Sequence, residues 1–197
     1  KFADVWYLII SLIVSQFPLI TVFLSLGTLN LFTGLEKNFH YFYKSYIPFE
    51  STEIVGSVLI VFAILLMDLA EYIRHRLHHK VPLLWDFHEF HHSPTEMTII
   101  SKNRESPLEK IFTQPLTLPL TVLQYLLINE NIANGNLLPI IIYFLWIMIS
   151  VFNDFLGHSS TAIIYPKPLS FIFMSPGLHL LHHSSNPSHF DCNFCIY

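Results

Sequence analysis

Eight of the twelve histidines in this 197-residue chain lie in three short groups. The groups are His75-x3-His79, His88-x2-His91-His92 and His179-x2-His182-His183. Residues three or four positions apart share one face of a helix, so each group can present its imidazoles in one direction. Neutral imidazole binds iron, zinc, copper and nickel, and eight imidazoles exceed what a single tetrahedral ion accepts. The count therefore predicts a site for two metal ions.

The composition of the rest of the chain predicts that these groups are held by membrane helices. Hydrophobic residues make up 52% of the chain and charged residues 12%, whereas ordinary soluble domains contain roughly 25% charged residues. The net charge of -4 and the lack of a basic stripe give no sign of nucleic-acid binding, so no nucleic-acid partner is expected. The length fits one domain, and we predict an all-α integral membrane protein.

Several apolar stretches approach the roughly 20 residues that cross a bilayer. The first covers about residues 5–32, and a polar and aromatic link over 36–53 follows it. The second covers 54–69, and its helix is expected to continue through His75 and His79. The third covers 137–155 and ends close to Asp154 and His158, which places these polar groups beside the histidine groups.

A fourth stretch, residues 111–128, contains Pro115 and Pro119. Because proline disrupts a helix, this stretch is expected to be kinked or re-entrant. We therefore predict about three or four transmembrane or re-entrant helices that hold a helical cap carrying the histidines.

Basic residues indicate which side of the membrane this cap faces. Six of the ten Lys and Arg residues lie between positions 71 and 110, and cytoplasmic segments are enriched in these residues. The cap is therefore expected in the cytosol, with the chain in the endoplasmic reticulum if eukaryotic or in the cytoplasmic membrane if bacterial. No signal peptide is expected, because the first apolar run is too long for a signal h-region, and the ends look truncated.

The residues around the histidines resemble a known family. They are similar to the signature of the fatty acid hydroxylase/sterol desaturase superfamily. The matching segments are His-Arg-Leu-His-His over 75–79 and Pro-Leu-Leu-Trp-Asp-Phe-His-Glu-Phe-His-His-Ser over 82–93. Further matches are Arg104, Pro107, Glu109 and the third group followed by Asp-x-Asn-Phe over 191–194. Members of this superfamily are integral-membrane non-haem di-iron oxygenases. Two departures are Ser106, where the family usually has histidine, and Cys195, where it commonly has glycine.

The resemblance implies a single membrane-embedded di-iron hydroxylase domain over residues 1–197. It would use two iron ions and O2 to hydroxylate or desaturate an unactivated C–H bond of a fatty acyl, sterol or related lipid. Electrons would come from a separate protein, such as a cytochrome b5-like protein, a ferredoxin-like protein or a reductase. The implied ligands are His75, His79, His88, His91, His92, His158, His179, His182 and His183, with His189 as a tenth.

Carboxylates are expected behind these imidazoles, because an acceptor for the second ring nitrogen orients a metal-binding histidine. Helical spacing favours Glu71, four residues before His75, and Asp154, four residues before His158. Further candidates near the groups are Asp68, Asp86, Glu89 and Asp191. His78 is expected to be a spacer or to lie behind the ligands, and the Cys192-x-x-Cys195 pair is interpreted as incidental rather than as a zinc or redox motif.

Three alternative functions remain open on the sequence. The first is an acyl or sterol desaturase proper, although the short spacing between the first two groups favours the hydroxylase branch of the family. The second is an intramembrane zinc metalloprotease, because His88-Glu89-x-x-His92 satisfies the His-Glu-x-x-His pattern. The third is a non-enzymatic metal-binding or haem-binding membrane protein. The protease would leave the first and third groups unexplained.

Overall fold

The computed structural model describes residues 29–48 and 52–194, and this part of the chain is helical, without strands. Two short 3-10 turns, Ser101–Asn103 and Pro187–His189, lie between the helices. In chain order, the α-helices are α1 (Leu29–Tyr46), α2 (Thr52–Lys80), α3 (Pro82–His92), α4 (Pro107–Ala133), α5 (Leu137–Gly157), α6 (Lys167–Ser170) and α7 (Pro176–His182). The predicted all-α class is confirmed.

Helices α2, α4 and α5 form the body of this fold. Gln124 Nε2 on α4 donates a hydrogen bond to the Ala63 carbonyl on α2 at 3.1 Å. Nearer the end of α2, Arg74 lies 3.7 Å from Glu109, which is in the first turn of α4. The two helices are therefore antiparallel. Helix α5 reverses direction again after α4, so the C-terminal ends of α2 and α5 meet the start of α4 at one end of the molecule.

Two of the described helices, α2 and α5, are long and apolar enough to cross a membrane. Only 28% and 17% of their most apolar windows are buried inside the protein. On α5, Phe144 and Phe152 are 60% and 64% exposed, and apolar surface of this extent suits lipid rather than water. The fold is that of an all-α membrane protein. The predicted spans over 54–69 and 137–155 are confirmed, including the continuation of the first into the histidines.

The stretch over 111–128 lies within α4, which runs without interruption from Pro107 to Ala133 with both Pro115 and Pro119 inside it. Of the two expected forms, a re-entrant segment does not match this continuous helix, whereas a single helix that contains both prolines does. Each proline removes one helical hydrogen bond but does not force the chain to reverse, and α4 packs against α2 both before and after the two prolines.

The predicted link over 36–53 is also different, because most of it belongs to helix α1. Phe39, Tyr43 and Ile47 recur every four residues and pack together against the bundle, and Tyr43 is completely buried beside Ile60 and Leu127. This periodic apolar face explains the helix. The predicted span over residues 5–32 lies outside the described residues, except for its last four positions, which open α1.

Candidate metal centre

The ends of four helices bring the histidines together. Helix α2 ends at Lys80, and α3 begins two residues later with Pro82 in its first turn, where proline is well tolerated. The extended Val81 between them lets the chain change direction, so the first histidine group faces the second, with the His79 and His92 rings 4.7 Å apart. His158 caps the C-terminal end of α5, and the third group lies on α7.

Cluster A consists of five imidazoles from α2, α3 and α7. One ring nitrogen from each of four of them lies within 4.8 Å of the other three; these four residues are His75, His79, His88 and His92. His182 is the fifth, because its Nε2 atom lies 3.0 Å from Nε2 of His75 and its ring is 4.6 Å from that of His79. Cluster A therefore contains four residues from the first two sequence groups and one residue, His182, from the third.

Cluster B consists of four imidazoles, His91, His158, His179 and His183, whose ring nitrogens also lie within 4.8 Å of one another. His158 Nε2 is 3.2 Å from Nε2 of both His91 and His179, and His183 Nε2 is 3.1 Å from Nε2 of His179. The two clusters adjoin, since His92 of cluster A stacks on His183 of cluster B with ring centroids 4.3 Å apart. The arrangement offers two neighbouring groups of imidazoles, each of which could hold a metal ion.

Two imidazoles of cluster A are oriented by backbone carbonyls. His75 Nδ1 donates to the Phe194 carbonyl and His182 Nδ1 donates to the Cys192 carbonyl, both at 2.7 Å. A carbonyl only accepts, so both Nδ1 atoms carry the hydrogen and the Nε2 atoms of the neutral rings are bare. These two Nε2 atoms face each other at 3.0 Å. Their lone pairs repel unless a cation lies between them.

Protonation does not supply that cation near neutral pH. Burial lowers the pKa of His182 to about 4 and that of His92 to about 2, because an imidazolium is costly away from water. Two nitrogens bound at about 2.1 Å to one ion lie roughly 3.0–3.4 Å apart for angles from 90° to tetrahedral. The observed Nε2 separations of 3.0–3.2 Å fall in this range. The residues therefore fit metal ions.

Three further ring nitrogens of cluster A support this conclusion. The Nε2 atoms of His79, His88 and His92 are buried without a hydrogen-bond partner in the described residues. A buried polar atom without a partner costs about 1–3 kcal/mol. Metal ions bound at these nitrogens would remove that cost.

The carbonyls that orient cluster A depend on an unusual backbone. Asp191 and Asn193 have φ angles of 60° and 55°, in the left-handed region that asparagine and aspartate enter more readily than most residues. They alternate with Cys192 and Phe194, whose carbonyls accept from the two histidines. The Asp-x-Asn-Phe motif thus acts here through its main chain. The Cys192 thiol donates to the His189 carbonyl at 2.8 Å, and Cys195 lies outside the described residues.

Glu109 is a residue of the site that the sequence reasoning missed. Its Oε1 atom accepts a hydrogen bond from His88 Nδ1 at 3.0 Å, and its side chain is 2% exposed. His78 is fully buried and stacks on His88, and its Nε2 atom lies 3.7 Å from the same Glu109 oxygen. In the sequence Glu109 belongs only to the family pattern, and no local spacing connects it with His88 because the two residues lie on different helices.

Asp154 occupies the position expected of it. Its Oδ1 atom is 3.1 Å from His158 Nδ1, and its carbonyl oxygen is 2.9 Å from the same nitrogen. Asp154 also forms an ion pair with Lys102. Negative charge behind cluster B therefore comes from within α5.

Glu71 does not fulfil the same expectation. Its Oε2 atom accepts from Arg74 Nε at 2.6 Å, and His75 donates to the backbone of residue 194 instead. Asp191 likewise pairs with Lys80 at 2.6 Å. The prediction of Glu71 as the acceptor for His75 is wrong, because an arginine one turn away attracts the carboxylate more strongly than a neutral imidazole.

His189 is the tenth of the predicted ligands. Its Nδ1 atom lies 3.1 Å from Ser184 Oγ, and it belongs to neither of the two four-histidine groups found among the described residues. The other nine predicted ligands are brought together.

Two cavities reach the clusters from different directions. The larger has a volume of about 960 Å³, and the Lys80–Asp191 ion pair lies at its edge. Its walls combine imidazoles, apolar side chains and hydroxyl groups: His79, His92, His182 and His183, then Trp85, Met97, Leu180 and Phe190, then Ser93, Thr95, Ser184 and Ser185. The smaller, about 170 Å³, is lined by five other imidazoles and by charged residues that include Arg74, Lys102, Glu105, Glu109 and Asp154. The larger cavity therefore suits a molecule with both apolar and polar parts, whereas the smaller is lined by imidazoles and charged side chains alone.

Comparison with known proteins gives a consistent result. The chain is 33% identical over 127 residues to the ornithine lipid hydroxylase OlsE of Rhizobium tropici, a match that covers 64% of this chain and 34% of the relative. It is 27% identical over 128 residues to the alkylglycerol monooxygenase of Xenopus tropicalis, a match that covers 65% of this chain and 25% of the relative. It is 30% identical over 136 residues to the human alkylglycerol monooxygenase, covering 67% of this chain and 26% of the relative.

The chain thus spans about a third or less of the length of these relatives. No solved structure matches it. Residues 60–197, which contain all nine clustered histidines, match the family model for fatty acid hydroxylases. The chain belongs to the fatty acid hydroxylase family.

Proposed function

We propose that this chain carries the catalytic centre of a membrane lipid hydroxylase with two histidine-bound iron ions. The observation that carries the proposal is the convergence of nine imidazoles in two adjoining clusters, with bare or unpartnered Nε2 atoms facing inward. The names of both kinds of relative describe oxygen insertion into a lipid, which favours hydroxylation over desaturation.

The nine histidines divide naturally between two ions. Cluster A, with His182, would hold one iron, and cluster B would hold the other. An all-imidazole set brings no negative charge to two divalent cations, so Glu109 and Asp154 would supply it from behind His88 and His158. When bound, the iron pair supplies O2 activation and hydrogen abstraction from an unactivated C–H bond, which side chains alone do not provide.

The reaction balances as a mono-oxygenation. A C–H bond, O2, two electrons and two protons give an alcohol and one water molecule. We propose that the electrons come from a separate protein, either cytochrome b5-like, ferredoxin-like or a reductase. Zinc is disfavoured for this reaction because it has no redox chemistry.

The larger cavity is the proposed substrate site. Its volume of about 960 Å³ lies in the range of ligand pockets, and imidazoles of both clusters form part of its wall. Trp85, Met97 and Phe190 would hold an alkyl or acyl chain in contact with these ligands and exclude water from it. Lys80 and Asp191 at the edge would face the polar end of the lipid.

The side of the membrane is proposed from charge. Arg76 and Lys80 are exposed at the end of α2 that carries the metal centre, and basic residues near the end of a span favour the cytosolic side. We therefore place the metal centre in the cytosol.

The protease alternative is not favoured by the geometry. Glu89, which would be the catalytic base of His88-Glu89-x-x-His92, is exposed on α3, whereas His88 is buried. His88 and His92 also share cluster A with three more imidazoles.

Metal analysis with Mössbauer spectroscopy on iron-57-grown, detergent-purified protein tests the proposal. About two irons per chain as a coupled pair are expected, together with incorporation of one ¹⁸O atom from ¹⁸O2 into a lipid in membranes supplied with a reductant. His182→Ala should abolish incorporation while the chain still inserts, and His189→Ala is the matched control that should retain the iron pair. One zinc per chain, or an active His182→Ala variant, would overturn the assignment; an alkene product would make the enzyme a desaturase.

A further inference from the structure

Residues 163–177, between α5 and α7, form a loop that closes on itself. At its base, Gly177 N donates to the Ile163 carbonyl at 2.8 Å, and Tyr165 N donates to Ser175 Oγ at 3.0 Å. Ser175 is completely buried. A Cβ atom on Gly177 would lie 3.2 Å from the Ile163 carbonyl oxygen, so the two limbs of the loop pack closely at this point. The 163–177 loop therefore projects as a unit, with helix α6 inside it.

The loop runs back along α5 instead of continuing away from it. Tyr165 donates its hydroxyl hydrogen to Asn153 Oδ1 at 2.6 Å, and Asn153 Nδ2 donates to the Met174 carbonyl at 3.1 Å. Further along the helix, the ring of Phe173 stacks on Trp146 with centroids 5.8 Å apart. Both limbs of the loop therefore contact α5 at Asn153, near its C-terminal end, and Phe173 contacts it further back at Trp146.

These contacts give the depth of the loop. Helix α5 ends at Gly157, four residues after Asn153 and eleven after Trp146. At about 1.5 Å per residue, the contacts lie roughly 6 Å and 16 Å from the helix end. The 21 residues of α5 extend about 31 Å, which matches the hydrocarbon core of a bilayer. Phe173 therefore packs about half-way along a membrane-spanning helix.

Most of the remaining residues of the loop are apolar, Lys167 and Ser170 being the exceptions, and no protein covers them in the described structure. Phe171 is 86% exposed, and Ile164, Leu169 and Ile172 are also exposed. Four large apolar residues exposed within nine positions are unfavourable in water, because each Å² of apolar surface left in water costs about 25 cal/mol of free energy. Lys167 is the one charged residue of the loop, and its long side chain can reach towards lipid head groups.

We propose that the 163–177 loop dips into the acyl region of the leaflet on the metal-centre side, and that bilayer lipid covers its apolar residues. The loop ends two residues before His179, whose ring lies beside the backbone of Gly157. Residues 177–179 thus connect the lipid-covered loop to cluster B. This short connection would hold the metal centre at a fixed height above the acyl chains. This proposal does not depend on the activity proposed above.

Depth-resolved quenching of a fluorescent label tests the loop directly. Phe171→Cys is labelled with an environment-sensitive nitrobenzoxadiazole, in a full chain with Cys192→Ser and Cys195→Ser, and reconstituted in phosphatidylcholine vesicles. Phe144→Cys, exposed in the middle of α5, is the control for a lipid-facing position. Ser188→Cys, exposed in the 3-10 turn near the metal centre, is the control for a water-facing position.

The label at position 171 should behave like the label at position 144. Nitroxides on the lipid acyl chains should quench it severalfold more than aqueous iodide does, and Ser188→Cys should show the reverse. A label at 171 that iodide quenches as strongly as at 188 would overturn the proposal, as would one that neither quencher reaches. If Phe171→Cys does not fold, as judged by size-exclusion profile, Ile172→Cys takes its place.

Discussion

Glu109 is the residue through which the region behind cluster A can be tested. Its Oε1 atom accepts from His88 and lies 3.7 Å from both Arg74 and His78. Glu109→Gln preserves the size of the side chain and an oxygen that can accept, but it removes the negative charge. Glu109→Ala removes the acceptor altogether. Both changes leave all nine proposed ligands in place.

The size of the effect follows from the hydrogen bond to His88. A hydrogen bond to a charged group contributes about 1.5–3 kcal/mol and a neutral one about 0.5–1.5 kcal/mol, so Glu109→Gln should lose about 1–1.5 kcal/mol of metal-binding free energy. Since 1.4 kcal/mol corresponds to a factor of ten, iron affinity at cluster A should fall roughly 5–12-fold. Glu109→Ala should cost about 10–100-fold, the usual effect of losing an orienting partner.

Iron retention during titration with a chelator measures this affinity. Glu89→Gln on α3 is the matched control: this carboxylate is exposed, so its loss should not change iron retention or activity. Unchanged iron retention in both Glu109 variants would refute the role of Glu109 in orienting His88. Loss of activity in Glu89→Gln would revive the protease interpretation.

Three further predictions concern the fold and the metal ligands. Gly56→Ala on α2 would overlap the buried side chain of Asn131, and the overlap and a disturbed hydrogen bond should together cost about 2–6 kcal/mol, read as a lower melting temperature in detergent. Gly34→Ala is the control and should have little effect, because a Cβ there would have open space around it. The free energy of unfolding of the metal-free protein should be highest above pH 6.5 and should fall towards pH 4. The reason is that the folded-state pKa of His182 is depressed to about 4, so the unfolded chain binds more protons between these pH values. A free energy of unfolding that rises on acidification would contradict this. Asn193→Val should lower the iron content by straining the left-handed backbone, whereas Asn193→Gly should retain it, and equal iron contents would exclude that role.

Local spacing in the sequence predicted much of the metal centre. His75 and His79 lie one helical turn apart, and helices α2 and α3 direct their histidines to the same place as the i, i+3 and i+4 pattern indicated. His158 was expected from the end of an apolar span followed by polar residues. Neither inference required knowledge of how distant helices pack.

Tertiary contacts explain what was missed. Glu109 is 21 residues from His88 and on another helix, so no local pattern connects the two. Glu71 has the right helical spacing for His75, but Arg74 competes for it. The division of the third group between the clusters, with His182 in one and His183 in the other, likewise depends on where α7 docks.

The bonds from His75 to the Phe194 carbonyl and from His182 to the Cys192 carbonyl have a consequence for how the protein is made. The first joins residues 119 positions apart, so it forms only after nearly the whole described chain has been synthesised. Contacts of such long range close late in folding because they carry the largest loss of chain entropy. The helices should therefore enter the bilayer before the histidines are fixed in their final orientation. Iron loading would then be the last step of maturation, and newly inserted chains would form a pool that is folded in the membrane but not yet able to hold metal tightly.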